Sequence, residues 1–199
     1  MTGMNRVPDR DGRIVLVPPD GGVPVARLNG ETTVLVVGAE DTDGAYALRR
    51  NSAPPRFHAV PLHVHRDAEE AFLVTDGELA VYADGHWQTA PSGSFVLIPR
   101  GTEHAIGNAS PATVSWTTVI SPGAAAEWVQ AEHDLIVASG GEPDRGHLAD
   151  IHRRFGLEII GPAPPWPEEP PGSRSSGSAR GSHADSAFPI RTDYQDRHH

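Results

Sequence analysis

The sequence predicts an all-β domain, a sandwich or barrel of short strands, followed by two short helices and a tail. Three observations point there. Short β-rich segments recur from residue 13 to residue 120 with turn residues between them. Asp76-Gly77 and Asp84-Gly85 close two of the intervals, and Asp-Gly is a strong hairpin signal. No helical period separates consecutive strands, as βαβ units would require.

The elements follow in order. Arg13-Ile-Val-Leu-Val17 is β-branched and runs into Pro18-Pro-Asp-Gly-Gly22, so it reads as a first strand and turn. Thr32–Gly38 and Ala45–Arg49 read as the second and third strands. Glu70–Thr75 is a strand that stops at Asp76-Gly77, and Leu79–Ala83 and His86–Thr89 flank Asp84-Gly85 as a hairpin. Ser94–Ile98 and Ala112–Ile120 complete the set. Beyond Ser121-Pro-Gly the pattern changes. Ala124–His133 and His147–Phe155 carry helix formers, the second stopping at Gly156, and Leu157–Ile160 fits a last strand or an extended segment. These elements define a domain over residues 1–161. From Pro162 to His199 the chain is rich in Pro, Gly, Ser and Arg with little apolar periodicity, and is expected to be disordered. The terminal His198-His199 pair reads as a solvated end.

Composition narrows the chemistry. A net charge of −10 argues against nucleic acid or an anionic membrane as partner. No apolar run approaches the ~20 residues of a membrane span, and the N-terminus lacks a secretory apolar core, so a cytoplasmic location is expected. There is no cysteine, which excludes disulfides, thiolate ligands and cysteine nucleophiles. All 16 basic residues are Arg, so a Schiff-base or P-loop lysine is impossible. What remains is His, Asp, Glu, Tyr and a bound metal.

Two segments carry metal-ligand spacing. The first is His63-Val-His65, then Glu69 and Glu70, then Gly77; the second is Gly93, Pro99-Arg-Gly101, His104 and Asn108. On a strand, residues two apart share a face, so His63 and His65 can reach one ion side by side. A carboxylate follows across a short turn, and His104 arrives from a distant segment. Imidazole and carboxylate suit nickel, manganese, iron, cobalt or zinc better than calcium or magnesium. Four ligands on a six-coordinate ion leave two positions for a substrate or dioxygen.

Nine positions of these segments match the two signature motifs of the cupin superfamily, which this sequence resembles. The resemblance implies a double-stranded β-helix, or jelly-roll barrel, with one divalent metal on His63, His65, Glu70 and His104. The gap to Gly77 selects Glu70 over Glu69, and Asn108 and the glycines become structural. Pro61–Phe72 and Leu148–Pro162, including Arg154-Phe-Gly-Leu-Glu-Ile-Ile-Gly-Pro, are further similar to small bacterial quercetinase-like cupins. That similarity implies a metal-dependent dioxygenase acting on a flavonol or related aromatic enol, with Glu70 as both ligand and base. Fungal quercetinases carry two cupin domains. With one domain here, a homodimer is expected, residues 13–38 being candidate exchange or pairing strands.

Tyr46, Leu48, Phe72, Val74, Phe95 and Trp116 are the candidate apolar lining of the substrate pocket. Tyr82 and Trp87, beside the hairpin, read as surface or interface. Arg100 and Glu103 either orient ligands or form a turn ion pair, and His58 faces either cavity or solvent. Other classes share the metal: a Lewis-acid polyketide cyclase or isomerase, and a module that only binds a small molecule. A sugar-phosphate isomerase would need a basic cluster, for which Arg49, Arg50 and Arg56 are the candidates.

Overall fold

The structure is a computed structural model and describes residues 14–167. Eleven strands and two α-helices occupy this stretch: β1 Val23–Val25, β2 Thr32–Val37, β3 Ala47–Ala53, β4 Leu62–His65, β5 Glu69–Asp76, β6 Glu78–Ala83, β7 His86–Pro91, β8 Phe95–Ile98, β9 His104–Gly107, β10 Val114–Ser121, α1 Trp128–Ala138, α2 Arg145–Arg154 and β11 Leu157–Gly161. Single 3-10 turns lie at Ala39–Thr42 and Gly123–Ala126. The strands form a six-stranded sheet, ordered β1-β2-β3-β10-β5-β8, and a five-stranded sheet, ordered β11-β4-β9-β6-β7. Every neighbouring pair is antiparallel. This is the expected all-β jelly roll.

Side chains alternate across each strand, and the alternation builds a barrel with two unlike ends. On β10, Val114, Trp116, Thr118 and Ile120 turn inward; on β5, Phe72 and Val74 do so. Phe72, Val74 and Trp116 meet Leu79, Val81 and Ile106 from the other sheet in an apolar core. The inward face of β3 reads Ala47, Arg49, Asn51, Ala53, so it brings polar groups into the interior. One end of the barrel is therefore dry and the other chemically equipped.

Two turns show why the glycines stand where they do. Gly77 joins β5 to β6 at φ +72°, and a Cβ there would lie 2.7 Å from the Thr113 carbonyl oxygen. Gly101, at φ +77°, donates its N–H to the His65 carbonyl at 2.8 Å, tying the loop before β9 to β4. Asn108 is fully buried. Its amide donates to the carbonyls of Pro54 and Ala112 at 3.0 and 2.7 Å, a structural role as expected.

Several expectations are corrected. Residues 14–17 form no strand: Ile14 and Leu16 are 95% and 81% exposed, because Pro18 and Pro19 cannot continue a ladder and no edge pairs with the segment. The first strand is β1, past the turn that Arg50 secures by donating to the carbonyls of Pro19 and Gly21. The first helix starts later, at Trp128, after the 3-10 turn. Asp144 caps α2, its carboxylate accepting from the His147 N–H at 3.0 Å. The segment Leu157–Gly161 is a true strand, paired with β4.

The expected boundary at Pro162 also moves, because residues 162–167 lie against the barrel. The Trp87 indole donates to the Pro165 carbonyl at 3.0 Å, and Trp166 stacks on Trp87 and His58 at centroid distances of 4.2 and 4.6 Å. A Cβ on Gly107 would approach the Trp166 ring to 2.8 Å, so glycine leaves the space that the indole fills. The rest of the tail, 168–199, lies outside the described residues. Among those described, no helix is long and apolar enough to cross a membrane.

Burial separates core from surface on strands of the two sheets. Leu79 is fully buried and Phe95 is 66% exposed. Leu79→Ala should cost about 2–5 kcal/mol, whereas Val137→Ser, at a residue 62% exposed, should stay within about 0.5 kcal/mol, as read by urea unfolding.

Candidate metal centre

Three strands converge on one point. His63 and His65 both turn inward from β4, and His104 on β9 sits directly opposite His63 in the ladder, ring centroids 4.2 Å apart. Strand alternation decides between the adjacent glutamates. Glu70 faces inward, while Glu69 faces out and pairs with Arg100 at 3.3 Å. The four residues are at most 8% exposed, and one ligand atom from each lies within 4.8 Å of the others. This is the constellation expected from the motifs. Glu103 is exposed, so neither it nor Arg100 orients a ligand; Arg100 belongs to a surface ion pair.

The proton inventory shows what this arrangement lacks. His63 and His104 donate from Nδ1 to the carbonyls of Pro61 and Thr102 at 2.8 and 3.0 Å, which leaves Nε2 of each neutral ring as a lone pair. His104 Nε2 and His65 Nε2 lie 3.2 and 3.3 Å from the same oxygen, Glu70 Oε2. A ring lone pair cannot rest against a carboxylate without a positive centre between them. A divalent ion held by these four side chains would supply that positive centre. Three imidazoles and one carboxylate thus fit a first-row transition metal, with zinc, iron, cobalt, nickel and manganese all compatible.

Electrostatics tune the same groups. Burial, reinforced by the neighbouring His104 and His65, lowers the His63 pKa to about 3, so this ring is a neutral ligand at ordinary pH. Burial by itself would push the Glu70 carboxyl up. Hydrogen bonds with His104 and His65 and the charges of His65 and Arg49 outweigh it and hold the carboxyl well below its usual value. Arg49 is the fixed partner, its Nη2 3.1 Å from Glu70 Oε1. Burial lowers the pKa of this guanidinium, and the Glu70 carboxylate opposes that shift. Removing the carboxylate would strand a buried cation, at a cost of about 3–5 kcal/mol.

The ligands open onto a cavity of about 160 Å³. Phe72, Trp116, Ile106 and Val60 form its apolar wall. Of the six candidate lining residues, Phe72 and Trp116 are there. Val74 faces inward but lies deeper in the core, and Leu48 sits on the outward face of β3. Tyr46 and Phe95 are 39% and 66% exposed, because a turn before β3 and the outward phase of β8 point them away. His58 packs on Trp166 and Trp87 instead of lining the cavity, and Tyr82 meets Trp87 edge-on, in the predicted surface setting.

The three arginines considered together as a basic cluster do not gather. Arg49 is committed to Glu70, Arg50 to the Pro19 and Gly21 carbonyls, and Arg56 to the Ala109 carbonyl. No phosphate site is assembled from them. The cavity instead has a polar wall that sequence reasoning missed. Thr118 donates to Asn51 Oδ1 at 3.1 Å, and Asn51 donates to Thr33 and Glu31. Beyond them stand Arg27, Trp128, Glu132 and His152. The polar inward face of β3 was a readable hint for Arg49 and Asn51. Nothing local marks residues 27, 132 and 152 as neighbours.

The depressed proton affinities carry a sign. Between its ordinary value of 6.5 and about 3, His63 binds a proton in the unfolded chain but not in the folded one. Stability should therefore fall as pH falls through this window, and the lowered Glu70 carboxyl adds in the same direction below 4.5. Calorimetry of metal-free protein should show Tm lower by about 5–10 °C at about pH 4.5 than at about pH 7.5. A pH-independent Tm would contradict the buried neutral His63.

Comparison with known proteins bears on this site. A family model described as the cupin domain matches residues 52–120, a stretch that contains all four candidate ligands. Over 46 residues the chain is 48% identical to quercetin 2,3-dioxygenase from Bacillus subtilis (strain 168), covering 23% of this chain and only 14% of that relative. Among solved structures, a predicted oxalate decarboxylase from Thermotoga maritima is 20% identical with a TM-score of 0.48, over 54% of this chain and 98% of that one. The polyketide cyclase RemF from Streptomyces resistomycificus is 21% identical with a TM-score of 0.42, over 50% and 68% respectively. Residues 52–120, which contain the buried histidines and Glu70, are thus similar to the cupin domain over about a third of this chain.

Proposed function

We propose that this chain is a metal-dependent dioxygenase of the quercetinase-like kind, cleaving a flavonol or related aromatic enol with dioxygen. The observation that carries the reading is the convergence of His63, His65, Glu70 and His104 at a cavity walled by Phe72 and Trp116. Aromatic and aliphatic walls favour a flat apolar substrate, and the convergent ligands are the polar element that would orient it. The 48% identity to the Bacillus subtilis quercetin 2,3-dioxygenase supports the same substrate class.

In this reading the four side chains hold one divalent ion. That ion supplies a Lewis acid for an enol oxygen and, where redox-active, a route for electrons to dioxygen. The protein's own residues do the rest. Phe72 and Trp116 flank the ring and exclude water. Arg49 holds Glu70 Oε1, which leaves Oε2 as the ligand oxygen. That engagement, and a carboxyl held low, make Glu70 a good ligand and a poor base.

The test separates this reading from a Lewis-acid cyclase or isomerase and from simple binding. Metal-free protein is loaded in turn with nickel, manganese, cobalt, iron and zinc, and oxygen uptake is followed with a small flavonol panel. One ion per chain, uptake matching flavonol loss, and at least a tenfold fall in both metal content and rate in His104→Ala are expected. Protein that holds the ion but consumes no oxygen with any metal would move the reading to Lewis-acid chemistry. The expected homodimer has a candidate face in Leu73, Phe95 and Leu97, exposed on the outside of the six-stranded sheet. Light scattering should give twice the chain mass, and a monomer removes the idea.

A further inference from the structure

The proposed chemistry needs an acceptor for the enol proton, and Glu70 is already committed to Arg49 and the metal position. A second histidine–carboxylate pair lines the same cavity. We propose that His152, held by Glu132, takes and returns the hydroxyl proton of the substrate; this rests on reading the cavity as a site for an enol or phenol.

The geometry is that of an oriented base. His152 lies in the last turn of α2 and Glu132 in the middle of α1. His152 Nε2 is 3.2 Å from Glu132 Oε2, and the other carboxylate oxygen is 3.0 Å from the Arg27 guanidinium. Only 8% of the Glu132 side chain is exposed, so Arg27 is what stabilises its charge there. Trp128, one turn earlier on α1, stands edge-on to His152 at 5.5 Å, with Arg27 covering its ring at 4.8 Å. The imidazole is thus gripped from two sides.

That grip sets the tautomer. A carboxylate only accepts, so in the neutral ring that serves as base Nε2 carries the hydrogen and Nδ1 the lone pair. Among the described residues Nδ1 has no hydrogen-bond partner. His152, Glu132 and Arg27 line the cavity together with His63, His65 and Glu70. The His152 side chain is 18% exposed, which leaves a path for the proton to exchange with solvent.

The step balances without any further reagent. The substrate O–H bond breaks, Nδ1–H forms, and the electron pair stays on oxygen. The imidazolium is held against Glu132, and the proton later returns to the product or to water. Glu132 and Arg27 are positioning residues. The charged groups that share the cavity with His152 are Arg27, Glu31, Arg49, Glu70 and Glu132, and Arg66, Arg145, Arg153 and Glu158 surround a pocket on its other side. None of the triad falls within residues 52–120, so the flanking segments supply this feature to the barrel.

The test uses the full chain loaded with zinc and 3-hydroxyflavone as probe, its ionisation followed by absorption. The bound flavonol should ionise at least about one pH unit higher in His152→Gln than in the native protein, with Glu132→Gln intermediate and zinc content unchanged. With the redox metal that works best, His152→Gln should slow oxygen uptake about a hundredfold or more, and added imidazole should restore part of the rate. Equal ionisation midpoints in native protein and His152→Gln, or loss of zinc in the variant, would overturn the assignment and leave the triad a clasp between the helices and the barrel. Ionised flavonol without oxygen uptake by any metal would overturn the dioxygenase reading while sustaining His152. Zinc-loaded native protein that leaves the flavonol spectrum unchanged would overturn both.

Discussion

Glu70 is buried in a barrel, where an isolated carboxylate would be untenable, and the surrounding structure answers that constraint. Arg49 takes one of its oxygens at 3.1 Å, while His65 and His104 crowd the other at 3.3 and 3.2 Å. Each partner comes from a different strand, so the charge is satisfied only when β3, β4, β5 and β9 are all in place. Groups that pay a large desolvation cost when unpaired make such a site specific to one register. A slip of β5 by one residue would present Glu69 to the interior and send Glu70 to solvent.

The same constraint explains the division of the barrel. The apolar end, from Phe72 and Val74 to Leu79 and Trp116, supplies burial and the wall against which a flat substrate can lie. The polar end is stabilised by hydrogen bonds and ion pairs, and among the described residues it also holds the buried polar atoms left without a hydrogen-bond partner, on Arg27, His65 and Trp128. Burial and the neighbouring His104 and His65 keep His63 neutral there. A metal ion there would meet ligand atoms that already lie within 4.8 Å of one another, so little reorganisation would be needed on binding.

Around this centre the flanking segments close the cavity. Arg27, before β2, joins Glu132 of α1 and His152 of α2, and β11 pairs with β4 beside the ligand histidines. The helices therefore act on the site as well as on the fold: they deliver titratable groups to the cavity that the candidate ligands also line. The aromatic clasp of Trp87, His58 and Trp166 performs a purely structural version of the same task, pinning residues 162–167 to the outside of the five-stranded sheet.

How much of this was legible follows from how local each signal is. Turn glycines, Asp-Gly pairs and period-two alternation act within a few residues, so the strands of residues 32–120 and the all-β class were readable. The candidate ligands were legible through the cupin resemblance: spacing alone offered His63, His65, His104 and either Glu69 or Glu70, and the motif's gap to Gly77 selected Glu70. Residues 14–17 misled, since β propensity says nothing about whether an edge is free to pair. The pocket misled for Tyr46, Leu48, Val74 and Phe95 because a bend or a turn resets which face a side chain takes. The sequence by itself thus determined the all-β class, written in short-range turn and strand signals, and, through its resemblance to the cupin motifs, the four candidate ligands. Only the tertiary structure decided that Arg49 supports Glu70, that Trp166 belongs to the domain, and that Glu132 and His152 share the cavity. Those contacts join residues 20 or more positions apart, and they depend on packing angles of helices and sheets that no local period encodes.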